Sequence, residues 1–216
     1  MPSKINWAAA IQPLLEKYKD HQHPLEYKNV YQLVVMVVLS AQSTDQLVNQ
    51  RAPDLFAKFP DMAVLATATA QDLFPLLKGI RNFANKAKWL MEIARTIKKD
   101  SHIPLSLEKL VELPGIGRKS ANVILRETGA LPEGIIVDLH VVRVAPRLGV
   151  VTATDPKKIE EQLMKKLPSS EWDAGMAMSF LGREICRPQP KCEICLMNTV
   201  CQFYNRNKKK KGTKKN

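Results

Sequence analysis

The sequence has little of what builds sheets, membrane anchors or disulfide frameworks. Only nine of its 216 residues are glycine, and alternating β-branched runs are scarce, which argues against a strand-rich fold and for helices. Aromatic residues make up 6% of the chain. The longest apolar stretch, Val30 to Leu39, is interrupted by Gln32 and reaches about half of the ~20 residues a membrane span needs. The segment Met1 to Lys19 lacks the charged start, apolar stretch and small-residue cleavage site of a secretory signal. These absences lead us to expect a soluble, intracellular protein. Cysteine is missing from residues 1–185, and all four cysteines fall between Cys186 and Cys201. Acidic residues are in deficit, 21 against 33 Lys and Arg, for a net charge of +12. Such an excess favours a polyanionic partner, a nucleic acid or an acidic membrane surface. Seven of the cations (Arg206, Lys208, Lys209, Lys210, Lys211, Lys214 and Lys215) crowd the last residues with no anion among them. The body is therefore only mildly basic, and residues 206–216 read as a disordered tail, either a solubilising end or a phosphate-binding arm.

What is present is helical periodicity, and the fold class is all-α. Ile5 to Lys19 reads as one amphipathic helix, with Trp7, Ile11, Leu14, Leu15 and Tyr18 on its apolar side. Val30 to Leu39 should sit at a core centre. Thr44 and Asp45 open a segment that runs to Phe59 despite Pro53, and Asp61 to Ala66 and Ala70 to Leu77 are short helices. Asn85 to Lys98 carries Trp89, Leu90, Ile93 and Ile97 at helical spacing. Leu107 to Glu112, Arg118 to Thr128, Asp138 to Leu148, Pro156 to Leu167 and Glu171 to Ile185 complete the set.

Three constellations carry chemistry. The first is the string Leu113-Pro114-Gly115-Ile116-Gly117-Arg118-Lys119-Ser120-Ala121. Gly115 and Gly117 permit positive φ and close approach of another backbone, and Ile116 between them can anchor the turn in the core. A helix starting at once exposes backbone N–H groups, and its dipole favours an anion such as a phosphate. A plain tight turn between two helices is the simpler reading of the glycines alone. Lys119 falls in the first turn of that helix, where a cation is unfavourable. A solvated surface lysine is the usual case, but near backbone dipoles, other cations or a desolvated pocket its amine could serve as a nucleophile. The second constellation is Ile135-Ile136-Val137-Asp138-Leu139-His140, an apolar run ending in an aspartate that begins a helix. Asp138 is a good helix cap, which alone would explain it. The same carboxylate could also assist a lysine nucleophile and stabilise positive charge on a sugar. The third is the cysteine spacing C-x5-C-x2-C-x5-C over Cys186, Cys192, Cys195 and Cys201. Clustered cysteines in an intracellular chain point to metal. Four-cysteine zinc sites use two C-x2-C knuckles, whereas one close pair with two wider spacings suits a [4Fe–4S] cluster better. Arg187 and Lys191, in the loop after the first cysteine, could touch phosphates.

In this order, from about Tyr31 to Cys201, these segments resemble the endonuclease III family of DNA glycosylase/abasic-site lyases in the helix–hairpin–helix superfamily. Leu39-Ser40-Ala41-Gln42-Ser43-Thr44-Asp45 is similar to its L-S-A-Q-x-T-D segment, Leu113 to Ala121 to its hairpin, and Val137-Asp138 with His140 to its V-D-T-H motif. Leu181-Gly182-Arg183 leads into the cysteines as its H-G-R does. The resemblance implies two all-α lobes, with double-stranded DNA lying across the cleft between them. A six-helix domain would cover 25–132, and an iron–sulfur domain would be made from 1–24 and 133–205. It implies that Lys119 is the nucleophile, Asp138 its catalytic carboxylate, and Gln42 a side chain that enters the duplex beside the extruded nucleotide. Gly115, Gly117 and Arg118 would grip a strand, and the four cysteines would hold a [4Fe–4S] cluster. The reaction implied is removal of a damaged base, in particular an oxidised pyrimidine, followed by Schiff-base β-elimination at the abasic site. The setting implied is the cytoplasm of a bacterium or archaeon, at the nucleoid, with the enzyme a monomer.

The chain departs from that family's pattern as a divergent paralogue would. The usual first spacing is C-x6-C, Leu139 replaces a threonine, and Leu181 replaces a histidine. In the segment Ile80-Arg81-Asn82-Phe83-Ala84-Asn85-Lys86-Ala87, Arg81 and Asn82 stand where the family has glycine and an apolar wedge. Asn82 is accordingly the residue expected at the duplex there. Two rivals remain. One is a monofunctional glycosylase for mismatched thymine or adenine, which usually lacks the hairpin lysine. The other is a non-catalytic DNA-binding or redox protein on the same scaffold, against which the pair Lys119 and Asp138 speaks.

Overall fold

A computed structural model describes residues 5–212, with side chains as far as Lys208. Helices α1 (Trp7–Ala10) and α2 (Gln12–Tyr18) come first. They are followed by α3 (Val30–Ser40), α4 (Asp45–Lys58), α5 (Met62–Leu65), α6 (Ala70–Leu76) and α7 (Phe83–Ile97). Next come α8 (Leu107–Val111), α9 (Arg118–Glu127), α10 (Leu139–Leu148), α11 (Pro156–Met164), α12 (Ala174–Glu184) and α13 (Gln202–Gly212). Three short 3-10 turns intervene, and no strand occurs among the described residues. The fold is all-α, and no described helix is long and apolar enough to cross a membrane. The chain forms two compact units, Gln22–Glu133 and Met1–His21 with Gly134–Asn216.

In the unit Gln22–Glu133, α3 is the centre. Its residues from Leu33 to Leu39 are all buried, which is why this helix is apolar on every side rather than along one stripe. Helices α4, α7 and α9 pack around it. The helix starts are written locally. Asn29, Thr44 and Asp61 each accept a backbone N–H with their side chains, and Thr69 and Asp72 bond reciprocally as a capping box, each cap contributing about 1 kcal/mol. Along α7 the buried positions Ala87, Leu90, Ile93, Ala94 and Ile97 recur at helical spacing. Trp89, which the periodicity assigns to that stripe, is only half-buried and lies against the turn at Gly115 instead.

In the other unit, α12 packs on α10 and on α2. Two glycines of α12 make the approach to neighbouring backbone possible. A Cβ on Gly175 would lie 2.4 Å from the Ile136 carbonyl oxygen, and one on Gly182 would lie 2.8 Å from Cβ of His140.

Two expectations are corrected here. The single helix expected over Ile5 to Lys19 breaks at Ile11 into α1 and α2. Pro13 falls in the first turn of α2, since in a continuous helix its ring would collide with the carbonyl four residues earlier. The tail expected to be disordered is helical as far as Gly212. Lysine is a good helix former, and the helix is moored where α13 packs on α10, with the Arg147 guanidinium over the Phe203 ring at 4.8 Å. Lys214 and Lys215 of that tail lie outside the described residues.

Candidate active site and cysteine loop

The hairpin is built from α8, a turn and α9. Leu113 and Ile116 are buried and the Ile116 amide bonds the Leu113 carbonyl, so two apolar anchors pin a turn whose glycines are both exposed. The glycines differ. Gly115 has φ +79, and a Cβ there would meet Trp89 at 2.5 Å, so both backbone and space demand glycine. Gly117 has φ −91, which any residue adopts, and a Cβ on it would meet nothing within 4 Å. The positive φ expected at both is thus found at Gly115 alone. Gly117 caps α9 without a side chain, leaving open space in front of the first amides of the helix.

Arg118 and Lys119 follow, both exposed. The Arg118 guanidinium donates to the Glu133 carbonyl at 2.7 Å, which fixes the stretch leaving the unit. The positive charge of Lys119 reaches His23. Burial holds that imidazole below its ordinary range, and Lys119 and Arg126 press it lower while Glu127 and Asp45 oppose them.

Asp138 caps α10. Its Oδ1 accepts from the amides of His140 at 2.8 Å and Val141 at 2.9 Å. Its Oδ2 accepts from the Ser179 hydroxyl at 2.6 Å, and Arg183 lies 3.9 Å away. Capping and a held, oriented negative charge are therefore both present in one side chain. Ser179 has no motif around it. Its only trace in the sequence is a lone hydroxyl in the apolar stretch Ala174 to Leu181. Leu139 is 70% exposed, and the hydroxyl on the carboxylate comes from Ser179 rather than from the neighbouring position.

The cysteine loop leaves the end of α12. The Cys186 amide bonds the Leu181 carbonyl at 2.7 Å, the Cys195 amide bonds the Cys192 carbonyl, and the Cys201 amide bonds the Met197 carbonyl. Arginines on α10 hold this loop. Arg143 donates to the carbonyls of Cys186 and Gly182, both at 2.9 Å. Arg147 donates to the carbonyls of Arg187 and Pro188 and approaches Sγ of Cys186 at 3.7 Å. Neither arginine was singled out from the sequence. Burial pushes the thiols of Cys192, Cys195 and Cys201 up, and the neighbouring cysteines push each of them further. Thiols held up in this way at Cys192, Cys195 and Cys201 suit a group whose iron neutralises their thiolates. Among the described residues no three His, Cys, Asp or Glu side chains are drawn to metal-binding distance; the fit rests on the donor set. Arg187 donates through Nε to the Arg183 carbonyl at 2.7 Å, and Lys191 is exposed on the same loop.

Gln42 and Asn82 are exposed and share a rare backbone state, φ 56 and 57. Gln42 follows the end of α3, and Asn82 precedes α7.

Residues 35–169 match the family described as HhH-GPD superfamily base excision DNA repair protein. The chain belongs to that superfamily, as its all-helical architecture and glycine hairpin also indicate. Endonuclease III of Synechocystis sp. is 37% identical over 206 residues, covering 93% of this chain and 94% of the relative. Endonuclease III of Thermotoga maritima is 37% identical over 82% of this chain and 84% of its own. A solved non-covalent endonuclease III–DNA complex superposes with a TM-score of 0.85 at 30% identity, covering 97% of this chain and all of that one. A trapped covalent endonuclease III–DNA intermediate superposes with a TM-score of 0.84. The chain is a member of the endonuclease III family, a DNA glycosylase and abasic-site lyase of base-excision repair.

Proposed function

We propose that this enzyme removes oxidised pyrimidines from double-stranded DNA and cleaves the resulting abasic site, with Lys119 as nucleophile. The observation that carries this reading is an exposed lysine in the first turn of α9, directly after a hairpin whose second glycine faces open space. The hairpin and the amides at the start of α9 take a backbone phosphate. The damaged nucleotide leaves the stack. The Lys119 amine attacks C1′ of its sugar, the bond from C1′ to the base breaks, and the base departs. The sugar ring then opens as the C1′–O4′ bond breaks and the nitrogen gives up a proton, leaving an imine that acidifies C2′. Loss of a C2′ proton expels the phosphate from C3′ and so breaks the strand on the 3′ side. The Asp138 carboxylate, oriented by Ser179 and two amides, stabilises positive charge on the sugar and assists the amine. Gln42 and Asn82 enter the duplex at the gap.

Cys186, Cys192, Cys195 and Cys201 would hold a [4Fe–4S] cluster. It would supply structural closure of the loop rather than a reaction step, and the loop would then present Arg187 and Lys191 to phosphates. The enzyme acts as a monomer at the nucleoid.

Duplexes bearing an oxidised pyrimidine, an oxidised purine or no lesion test the reading, with released base and strand breaks quantified separately. Base release and breakage together, largest for the oxidised pyrimidine, are expected. Base release without breakage would replace the reading with a monofunctional glycosylase.

The hairpin glycines separate grip from fold. Gly117→Ala should leave thermal stability unchanged within about 0.5 kcal/mol, because its φ and surroundings accept a methyl group. The same change should weaken binding to abasic duplex about tenfold or more. Gly115→Ala should instead destabilise the protein by roughly 2–4 kcal/mol, through positive φ and collision with Trp89. Calorimetry and a binding titration on both variants check this, and equal binding by Gly117→Ala and wild type would remove the phosphate from the hairpin.

A further inference from the structure

Among the described residues Lys86 is the one charged side chain that is buried, at 1% exposure. An ammonium taken from water is costly unless its donors are satisfied. Its Nζ donates to the carbonyls of Leu39 at 2.8 Å and Ala41 at 2.5 Å, and to the Ser43 hydroxyl oxygen at 3.4 Å. The first two acceptors lie at the C-terminus of α3, where carbonyls lack partners within the helix and the dipole favours a cation. Burial pushes the Lys86 ammonium down to about 8.

The contacts bracket two strained loops. Ala41 and Ser43 flank Gln42. Ser43 Oγ also accepts from the Arg81 amide at 3.1 Å, and the Lys86 amide bonds the Asn82 carbonyl at 3.1 Å. The Asn82 side-chain oxygen accepts from Asn85 at 3.0 Å. Among the described residues only three other than glycine have positive φ, namely Gln42, Asn82 and Lys98. Two of these three are joined through Lys86 and Ser43. A left-handed residue with a Cβ is held by its surroundings, and the bonds of Lys86 and Ser43 fall on the residues that flank Gln42 and on Asn82 itself.

We propose that Lys86 is a positioning residue that holds Gln42 and Asn82 at a set spacing, so that two amide side chains together occupy the duplex opposite the extruded nucleotide and read the unpaired base there. The proposal rests on the assignment of these two loops to DNA made above. Amides donate and accept, so a pair of them at fixed spacing selects among opposite bases by hydrogen bonding, which an apolar plug cannot do. An ammonium carried by α7 and held by carbonyls at the end of α3 makes the spacing rigid, as a site needs for such reading.

The test compares cleavage of abasic sites in duplexes with each of the four opposite bases and in a single strand, which has no opposite base to read. Lys86→Met keeps the length of the side chain and removes the donors. It should lower kcat/KM on duplex at least 30-fold, flatten the preference among opposite bases, and leave single-strand cleavage within threefold of wild type. Equal loss on both substrates would make Lys86 a general support of the fold and overturn the proposal, as would an unchanged opposite-base profile. Should Lys86→Met not fold, Ser43→Ala serves. It keeps both carbonyl bonds but cuts the link to Arg81, and a loss of fivefold or more confined to duplex is expected. The double variant Gln42→Ala/Asn82→Ala tells the two readings apart. If it cleaves duplex like wild type, the loops do not touch DNA and both readings fall. If it loses duplex activity and the opposite-base preference while Lys86→Met and Ser43→Ala keep them, only the role of Lys86 falls.

Discussion

Lys119→Gln should abolish the covalent adduct that borohydride traps between the enzyme and abasic duplex DNA, and should lower strand cleavage by at least about 10³-fold. It should do so without harm to the fold. Lys119 is exposed in the first turn of α9, where a cation opposes the helix dipole by about 0.3–1 kcal/mol. Removing the charge should therefore leave the melting temperature unchanged or slightly raised. A core lysine would behave the opposite way. A residue that costs stability where it stands and whose loss costs all imine chemistry is one retained for reaction. The measurement is a denaturing gel after reduction, with a melting curve of the same preparation. A reduced adduct of wild-type yield in the Lys119→Gln protein would move the nucleophile to another amine.

The second large effect belongs to Asp138, which caps α10 and presents a carboxylate in one side chain. Asp138→Asn separates these tasks. Asparagine caps a helix as well as aspartate does, so the bonds from the His140 and Val141 amides to Oδ1 survive, and the Ser179 hydroxyl can turn to accept from the new amide. Stability should fall by no more than about 1 kcal/mol. Base release should fall by about 10²–10³-fold, the scale on which one lost electrostatic contact to a developing charge is felt. Asp138→Ala should add a capping loss of about 1 kcal/mol to the same kinetic defect. Denaturant unfolding and single-turnover base release measured on both variants decide the matter. Base release by Asp138→Asn within threefold of wild type would leave Asp138 a cap and nothing more.

How far these residues could be read in advance depends on how local their causes are. The caps at Asn29, Thr44, Asp61 and Thr69 each sit within three residues of the amide they satisfy, so the helix starts are legible along the chain. The same holds for α3, whose apolar run from Leu33 to Leu39 can only be central. Local reasoning fails where a neighbour is distant in sequence. Gly115 and Gly117 look alike in the string Leu113 to Ala121, yet Trp89 on α7 makes one indispensable and leaves the other free of contact. Ser179 is one hydroxyl in an apolar helix until α12 packs on α10 and brings it to 2.6 Å from Asp138. Arg143 and Arg147 look like the polar face of an amphipathic helix until the cysteine loop folds over them. Lys86 occupies a position where periodicity permits either burial or solvent, and only its bonds to the end of α3 explain why a charge is inside.

The sequence by itself determined the helical class, the hairpin with its lysine, the capping aspartate and the confinement of every cysteine to one loop, because each of these is written in residues a few positions apart. The tertiary structure alone decided which glycine is free to face a ligand, which hydroxyl orients the carboxylate, which arginines hold the cysteine loop and which lysine is buried. Those outcomes depend on contacts between segments tens of residues apart, where packing and the cost of an unsatisfied buried polar group choose partners that no local pattern names.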